Sequence, residues 1–120
     1  MLLNNLFHSN NKIFIDGGTG SEIERHGGKM SSAWGAIANI DTPEIVTKVH
    51  ESFIHAGCDI ITTNTFSTCR HTLKSPGYSA KTIEINKAAV SLAQQAIKNV
   101  GKEKNILVAG CMSNFFALCP

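Results

Sequence analysis

The 120-residue sequence contains no long apolar run, no block of like charge and no secretory leader pattern. No stretch approaches the roughly 18 consecutive apolar residues that a membrane span needs. Lysines and arginines are scattered and the formal net charge is only +2, so the sequence has no electrostatic footprint for nucleic acid or a membrane surface. The first ten residues lack both a cationic start and an apolar core. We therefore expect a cytoplasmic protein that binds neither nucleic acid nor membrane.

Cysteine occurs four times, but without the spacing of a redox or zinc motif. Cys58, Cys69, Cys111 and Cys119 form no Cys-x-x-Cys pair, and in a reducing compartment such cysteines are expected to be free thiols. Apolar residues make up 42% of the chain and charged residues 17%, which is typical of a globular protein. A chain of this length can form one domain with a core and is too short for two.

Three short apolar segments end in small or polar residues, and helical patterns separate them. Strands are predicted over residues 12–16, 58–65 and 105–110. The adjacent Ile60 and Ile61 are typical of a parallel strand that is covered on both faces. The order strand, helix, strand, helix, strand indicates an α/β fold with a parallel sheet.

Residues that are typical of helix starts and ends delimit the predicted helices. Thr42 is predicted to cap a helix that has Pro43 at its first position and ends at Gly57. A long helix is predicted over residues 80–99, closing at Gly101. The residues expected to face inward from this long helix are Ile83, Ala88, Leu92, Ala96 and Ile97.

The first predicted helix, residues 20–26, is short. Thr19 or Ser21 is available as its cap, and Gly27 or Gly28 as its stop.

Parallel strands place their carboxyl ends at one edge of the sheet, so the residues that follow them are expected to share a cleft. From the pattern alone, Asp16 suits a ligand contact or a cap of the glycine turn equally well. Residues 17–20 suit a phosphate at a helix start, but they lack the Walker and dinucleotide patterns. Trp34, in a loop predicted over residues 29–41, suits packing or a cleft wall. The residues expected at this cleft are Asp16, Thr63, Asn64, Thr65, Phe66 and Cys111.

Taken in order, these segments resemble the amino-terminal part of the homocysteine S-methyltransferases, a family that includes enzymes using betaine, S-methylmethionine and methylfolate. The similarity runs along nearly the whole chain. The matching pieces are residues 16–27, 33–34, 42–46, 49–50, 56–66, 84–89 and 108–110.

The resemblance implies that residues 1–120 are the amino-terminal portion of a homocysteine-binding (β/α)8 TIM barrel domain. They would supply its first three βα units, with no second domain. The implied reaction gives methionine by methyl transfer to the homocysteine thiolate from betaine, S-methylmethionine, S-adenosylmethionine or methylfolate. The implied substrate-binding residues are Asp16 and Gly17 at the amino-acid end of homocysteine, Thr63, Thr65 and Phe66 along the pocket, and Trp34 at its rim.

Zinc dependence is a further implication, since the family uses zinc to hold homocysteine as the thiolate. The resemblance places the zinc ligands on cysteines of the sixth and eighth barrel strands, so none of the cysteines here is predicted as a ligand and no residue as catalytic. A barrel reduced to three strands leaves unpaired edges. The isolated polypeptide is therefore expected to fold poorly, to self-associate or to be inactive. Two other functions stay open: a small flavodoxin-like domain that binds an anion or other ligand, and a non-catalytic remnant.

Overall fold

The structure is a computed structural model that describes residues 2–8, 12–102 and 105–113. Its sheet has two short strands, β1 (Ile60–Thr62) and β2 (Leu107–Ala109), which pair in parallel. Ile61, in the middle of β1, is fully buried and lies opposite Val108. The predicted α/β class and parallel pairing are confirmed, although both strands are shorter than the sequence indicated.

The segment predicted as the first strand is only partly formed. Ile15 makes a single parallel bridge to Ile60, and the Phe14 carbonyl accepts hydrogen bonds from the amides of Asp59 and Ile60 at 2.8 and 3.2 Å. A full strand over residues 12–16 is therefore wrong. The backbone hydrogen bonds of this segment go to Asp59 and Ile60, including one from the Asp16 amide to the Ile60 carbonyl at 3.1 Å, so only Phe14 to Asp16 are paired. β1 lies between this segment and β2.

Helices cover the sheet and carry the core. Three of them end at a glycine with positive φ, 89° at Gly27, 99° at Gly57 and 73° at Gly101, as the sequence predicted. At the first of these, the amides of Gly27 and Gly28 donate to the carbonyls of Glu24 and Ile23 at 2.9 Å, which is the Schellman pattern. The helices are α1 (Leu2–His8), α2 (Thr19–Arg25), α3 (Ala38–Asp41), α4 (Pro43–His55) and α5 (Thr82–Val100).

The predicted side-chain caps are wrong. At the start of α4 it is the Thr42 carbonyl that accepts from the amides of Ile45 and Val46, while the Thr42 hydroxyl is buried without a hydrogen-bond partner. Helix α3 ends at the residue before Thr42, and this tight join turns the side chain inward. Helix α2 starts after Gly18, also without a side-chain cap. The loop predicted over residues 29–41 contains α3.

The core lies mainly between α4 and α5. Ile85, Ala89 and Ala93 recur every four residues on α5 and are fully buried. Ile83, predicted to face inward, is 65% exposed. It precedes Ile85 by two positions, roughly 200° around the helix, so it lies on the opposite face. None of the described helices combines the length and apolar character that a membrane crossing requires.

Candidate functional site

A cavity of about 370 Å³ opens at the carboxyl ends of β1 and β2. Its walls come from the glycine turn that leads into α2, from the loop before α3, and from the residues that follow each strand. The cleft predicted at this edge of the sheet is therefore present. The lining residues are Gly17, Gly18, Thr19, Gly20, Ser21, Met30, Trp34, Gly35, Thr62, Thr63, Asn64, Phe66, Ser67 and Cys111.

Two threonine hydroxyls tie the end of β1 to the segment after β2. The Thr65 hydroxyl donates to the Cys111 carbonyl at 2.6 Å, and the Cys111 amide donates to the Thr63 hydroxyl at 3.1 Å. The two hydroxyl oxygens are 2.7 Å apart. Thr65 has already used its one hydrogen, so Thr63 is the donor between them. Neither hydroxyl has a hydrogen left for a ligand, and both can serve a ligand only as acceptors.

Buried amides hold the loop before α3 against the end of β1. The Asn64 side-chain amide donates to the Gly35 carbonyl at 2.9 Å and to Asn39 Oδ1 at 3.1 Å, while Asn39 Nδ2 donates to the Asn64 carbonyl at 2.9 Å. The Ser67 hydroxyl donates to the Ala33 carbonyl at 2.7 Å. This network fixes the wall that carries Trp34.

Two aromatic rings stand at the mouth of the cavity. The centroids of Trp34 and Phe66 are 5.6 Å apart with their planes tilted by 43°, and the residues are 41% and 50% exposed. Trp34 has φ of 47°, an uncommon value for a bulky residue. A turn closed by two backbone hydrogen bonds between Ser31 and Trp34, at 3.0 and 2.9 Å, holds it there. The turn therefore fixes the backbone of Trp34 beside Phe66.

Asp16 is anchored to β1 by its carboxylate. Thr62 donates to it from the backbone amide at 2.7 Å and from the hydroxyl at 3.0 Å. Burial of the half-buried carboxyl raises the pKa of Asp16, and the hydrogen bonds from Thr62 oppose that shift. Asp16 is not among the residues that line the cavity, but its neighbour Gly17 and its partner Thr62 are.

The structure brings most of the predicted site residues together. Gly17, Trp34, Thr63 and Phe66 line the cavity. Thr65 lines a neighbouring pocket instead, and Asp16 lies beside the cavity. Contact of these six residues with homocysteine stays a prediction. Sequence reasoning missed Met30, Ser67 and Asn39, which carry no motif of their own. The polar run that begins at the last residue of β1 was the one available signal for Thr62.

The described residues do not fit a zinc site. They contain no group of three or more histidine, cysteine or acidic side chains that could hold a metal ion. Cys58, Cys69 and Cys111 are free thiols, and of these three only Cys111 lines the cavity. Cys119 lies outside the described residues.

Comparison with known proteins matches residues 13–119 to the homocysteine S-methyltransferase family. Relatives include betaine–homocysteine S-methyltransferase 1 of Bos taurus, 33% identical over 110 residues that make up 88% of this chain and 26% of that protein. The selenocysteine Se-methyltransferase of Brassica oleracea var. italica is 28% identical over 117 residues, 86% of this chain and 34% of that protein.

The fold is also similar to a solved structure, the metallated form of the homocysteine methyltransferase MmuM from Escherichia coli. The TM-score is 0.78 at 23% sequence identity, over 92% of this chain and 40% of that one. The present sequence thus spans between about a quarter and two fifths of the length of these relatives. By the match over residues 13–119, the chain belongs to the homocysteine S-methyltransferase family.

Proposed function

We propose that this chain provides part of the active site of a homocysteine S-methyltransferase, an enzyme that moves a methyl group to the homocysteine thiol and gives methionine. In this proposal residues 1–120 form the first three βα units of a (β/α)8 barrel domain. The other units are supplied by further parts of a longer enzyme, and the 120 residues alone are inactive. Family membership and the partial fold likeness support the proposal.

One observation carries it. Gly17, Trp34, Thr63 and Phe66 were singled out by family resemblance, and all four line one cavity at the carboxyl ends of parallel strands. This edge is where α/β barrels bind their substrates. The volume of about 370 Å³ lies within the range of ligand pockets, ~300–1,000 Å³, and suits a small amino acid.

The amino-acid end of homocysteine is proposed to bind near Asp16. The Thr62 amide donates to the carboxylate, and the Thr62 hydroxyl lies 3.0 and 3.1 Å from its two oxygens, while a carboxylate offers roughly four acceptor positions. An ammonium group that extends past Gly17 could donate a hydrogen bond to a remaining acceptor position of the Asp16 carboxylate. Hydrogen bonds between oppositely charged groups are stronger than those between neutral groups. The hydroxyl oxygen of Thr63, an acceptor only, suits the same ammonium group.

The methyl donor is proposed to approach the aromatic rim. Betaine, S-methylmethionine and S-adenosylmethionine carry their methyl group on a cationic centre, and cations are attracted to aromatic faces. The tilted rings of Trp34 and Phe66 offer such faces at the cavity mouth. This arrangement favours a cationic donor over methylfolate.

The zinc implied by the family is proposed to be bound by groups outside the described residues, and no step above depends on it. A cytoplasmic location is also part of the proposal.

Asp16→Asn tests the proposed function. An asparagine oxygen can still accept from Thr62, so the fold is expected to persist while the charge facing homocysteine is lost. A hydrogen bond to a charged group contributes about 1.5–3 kcal/mol, so the homocysteine Kd is expected to rise roughly 10-fold or more. Isothermal titration calorimetry on the longer enzyme that contains this chain measures it.

Asp59→Asn is the matched control. Asp59 also accepts a backbone hydrogen bond, from the Phe14 amide at 2.9 Å, but it precedes β1 at the other end of the strand. The Asp59→Asn variant should leave homocysteine affinity unchanged. Equal affinity in Asp16→Asn and wild type, or binding of inorganic phosphate without homocysteine, would contradict the proposal.

A further inference from the structure

A second pocket, of about 240 Å³, lies on the far side of Phe66 and Cys111, since both residues line it as well as the main cavity. Cys69 also lines it, and we call it the thiol pocket because it is bordered by two cysteines. Cys69 and Cys111 therefore lie on the walls of one pocket, with no other cysteine of the described residues lining it.

Cys69 has the features of a reactive thiol. It is exposed, and its sulfur lies 2.9 Å from the Thr72 hydroxyl. Hydrogen bonds from Thr72, the side chain first and then the backbone, lower the pKa of Cys69. The contrast is Cys58, which is buried, and whose pKa is raised by burial and by the nearby charges of Asp16 and Asp59. A thiolate, not a thiol, reacts with peroxides, so Cys69 is favoured over Cys58.

Cys111 is the other cysteine that lines the thiol pocket. It is half-buried, and its backbone is fixed by the hydroxyls of Thr63 and Thr65. Cys69 sits instead in a turn whose residues 69–71 are all exposed. Cys69 is therefore the cysteine that solvent reaches first, and Cys111 lies on the wall shared with the main cavity.

We propose that Cys69 and Cys111 form a redox-sensitive pair, in which a peroxide oxidises Cys69 and Cys111 resolves it as a disulfide across the thiol pocket. The Cys69 sulfur attacks one peroxide oxygen, the O–O bond breaks, and with hydrogen peroxide the other oxygen leaves as water. The Cys111 sulfur then attacks the Cys69 sulfenic acid, the S–O bond breaks, and a second water leaves. Two thiols are oxidised by two electrons in total, and one peroxide is reduced to two waters.

Peptide mapping by mass spectrometry after hydrogen peroxide treatment tests the pair in the full chain. Cys119→Ser serves as the background, so that only the three described thiols compete. We expect a crosslinked peptide containing Cys69 and Cys111, with the loss of two hydrogens. Cys111→Ser should abolish the crosslink and leave Cys69 as a sulfenic acid that dimedone traps. Cys69→Ser should abolish both products.

Cys58→Ser is the matched control and should leave the crosslink unchanged. The pair is refuted if Cys58 or Cys111 is the first thiol to be labelled by dimedone, or if Cys69 sulfenic acid persists in the presence of Cys111. These readouts need no substrate, so the outcome is independent of whether the chain binds homocysteine.

Discussion

The loops around the cavity and the outer part of the sheet differ in the solvent exposure of their side chains. At the cavity, Asn39, Asn64 and Ser67 are buried, and each has hydrogen-bond partners. On the sheet, Phe14 and Ile15 are 58% and 59% exposed. Consecutive residues of an extended segment face opposite sides, so neither side of this segment is covered by the described residues. The cavity wall is thus built within this chain, whereas the sheet edge lacks comparable cover.

The largest effect should come from breaking the cavity wall with Asn64→Ala. This change leaves the Gly35 carbonyl and Asn39 Oδ1 without their donor in a buried place. Each unsatisfied buried group costs about 1–3 kcal/mol, so for two groups the free energy of unfolding should fall by about 2–6 kcal/mol. Urea denaturation measures this change. The control Asn99→Ala removes exposed hydrogen bonds and should cost under about 0.5 kcal/mol. Equal losses would show that the amide network does not stabilise the wall.

The free energy of unfolding should depend on pH because of His50, which lies in α4. His50 is fully buried, neither ring nitrogen has a hydrogen-bond partner, and burial lowers its pKa from 6.5 to about 4. Between these two values the unfolded chain binds more protons than the folded chain, so the free energy of unfolding falls as the pH drops from 6.5 towards 4. The full loss is on the order of 3 kcal/mol.

The His50→Leu variant should remove this acid sensitivity and be at least as stable as wild type at pH 7, since two unpaired buried nitrogens disappear. Urea denaturation at several pH values between 4 and 7 measures it. His55→Leu, at an exposed position of the same helix, should retain the wild-type pH dependence. An unchanged slope in His50→Leu would contradict the assignment.

The smallest effect on stability should come from the sheet edge. Ile15→Thr keeps a β-branched residue at an exposed position, so the free energy of unfolding should change by less than about 0.5 kcal/mol. Self-association should decrease, because the change removes apolar surface beside an unpaired strand. Sedimentation velocity at several concentrations compares the variant with wild type. A large destabilisation would mean that this residue is covered in solution.

Much of the helical layer could be predicted from local sequence. Gly27, Gly57 and Gly101 each end a helix because they take positive φ at little steric cost. Pro43 begins α4 as expected. Thr42 shows the limit of such reasoning. A threonine before a proline is a common cap, but here the adjoining helix α3 turns its hydroxyl inward.

The candidate site was predictable in part. The position of Thr63 and Phe66 at the carboxyl end of a parallel strand identified them, together with the family resemblance, because parallel strands end at one edge of the sheet. Asn39 and Ser67 gave no signal, since their role depends on partners 25 and 34 residues away in the chain. The sequence also carried no signal that the Asp16 carboxylate is hydrogen-bonded to Thr62 beside the cavity.

The sequence by itself determined the α/β class, the helix ends and the edge of the sheet at which a cavity would form, since these depend on residue type and short-range spacing. Only the tertiary structure decided which polar groups pair across the cavity wall, which face of α5 is buried, and that Cys69 and Cys111 share one pocket. Those outcomes depend on contacts between residues distant in sequence, and local pattern does not encode them.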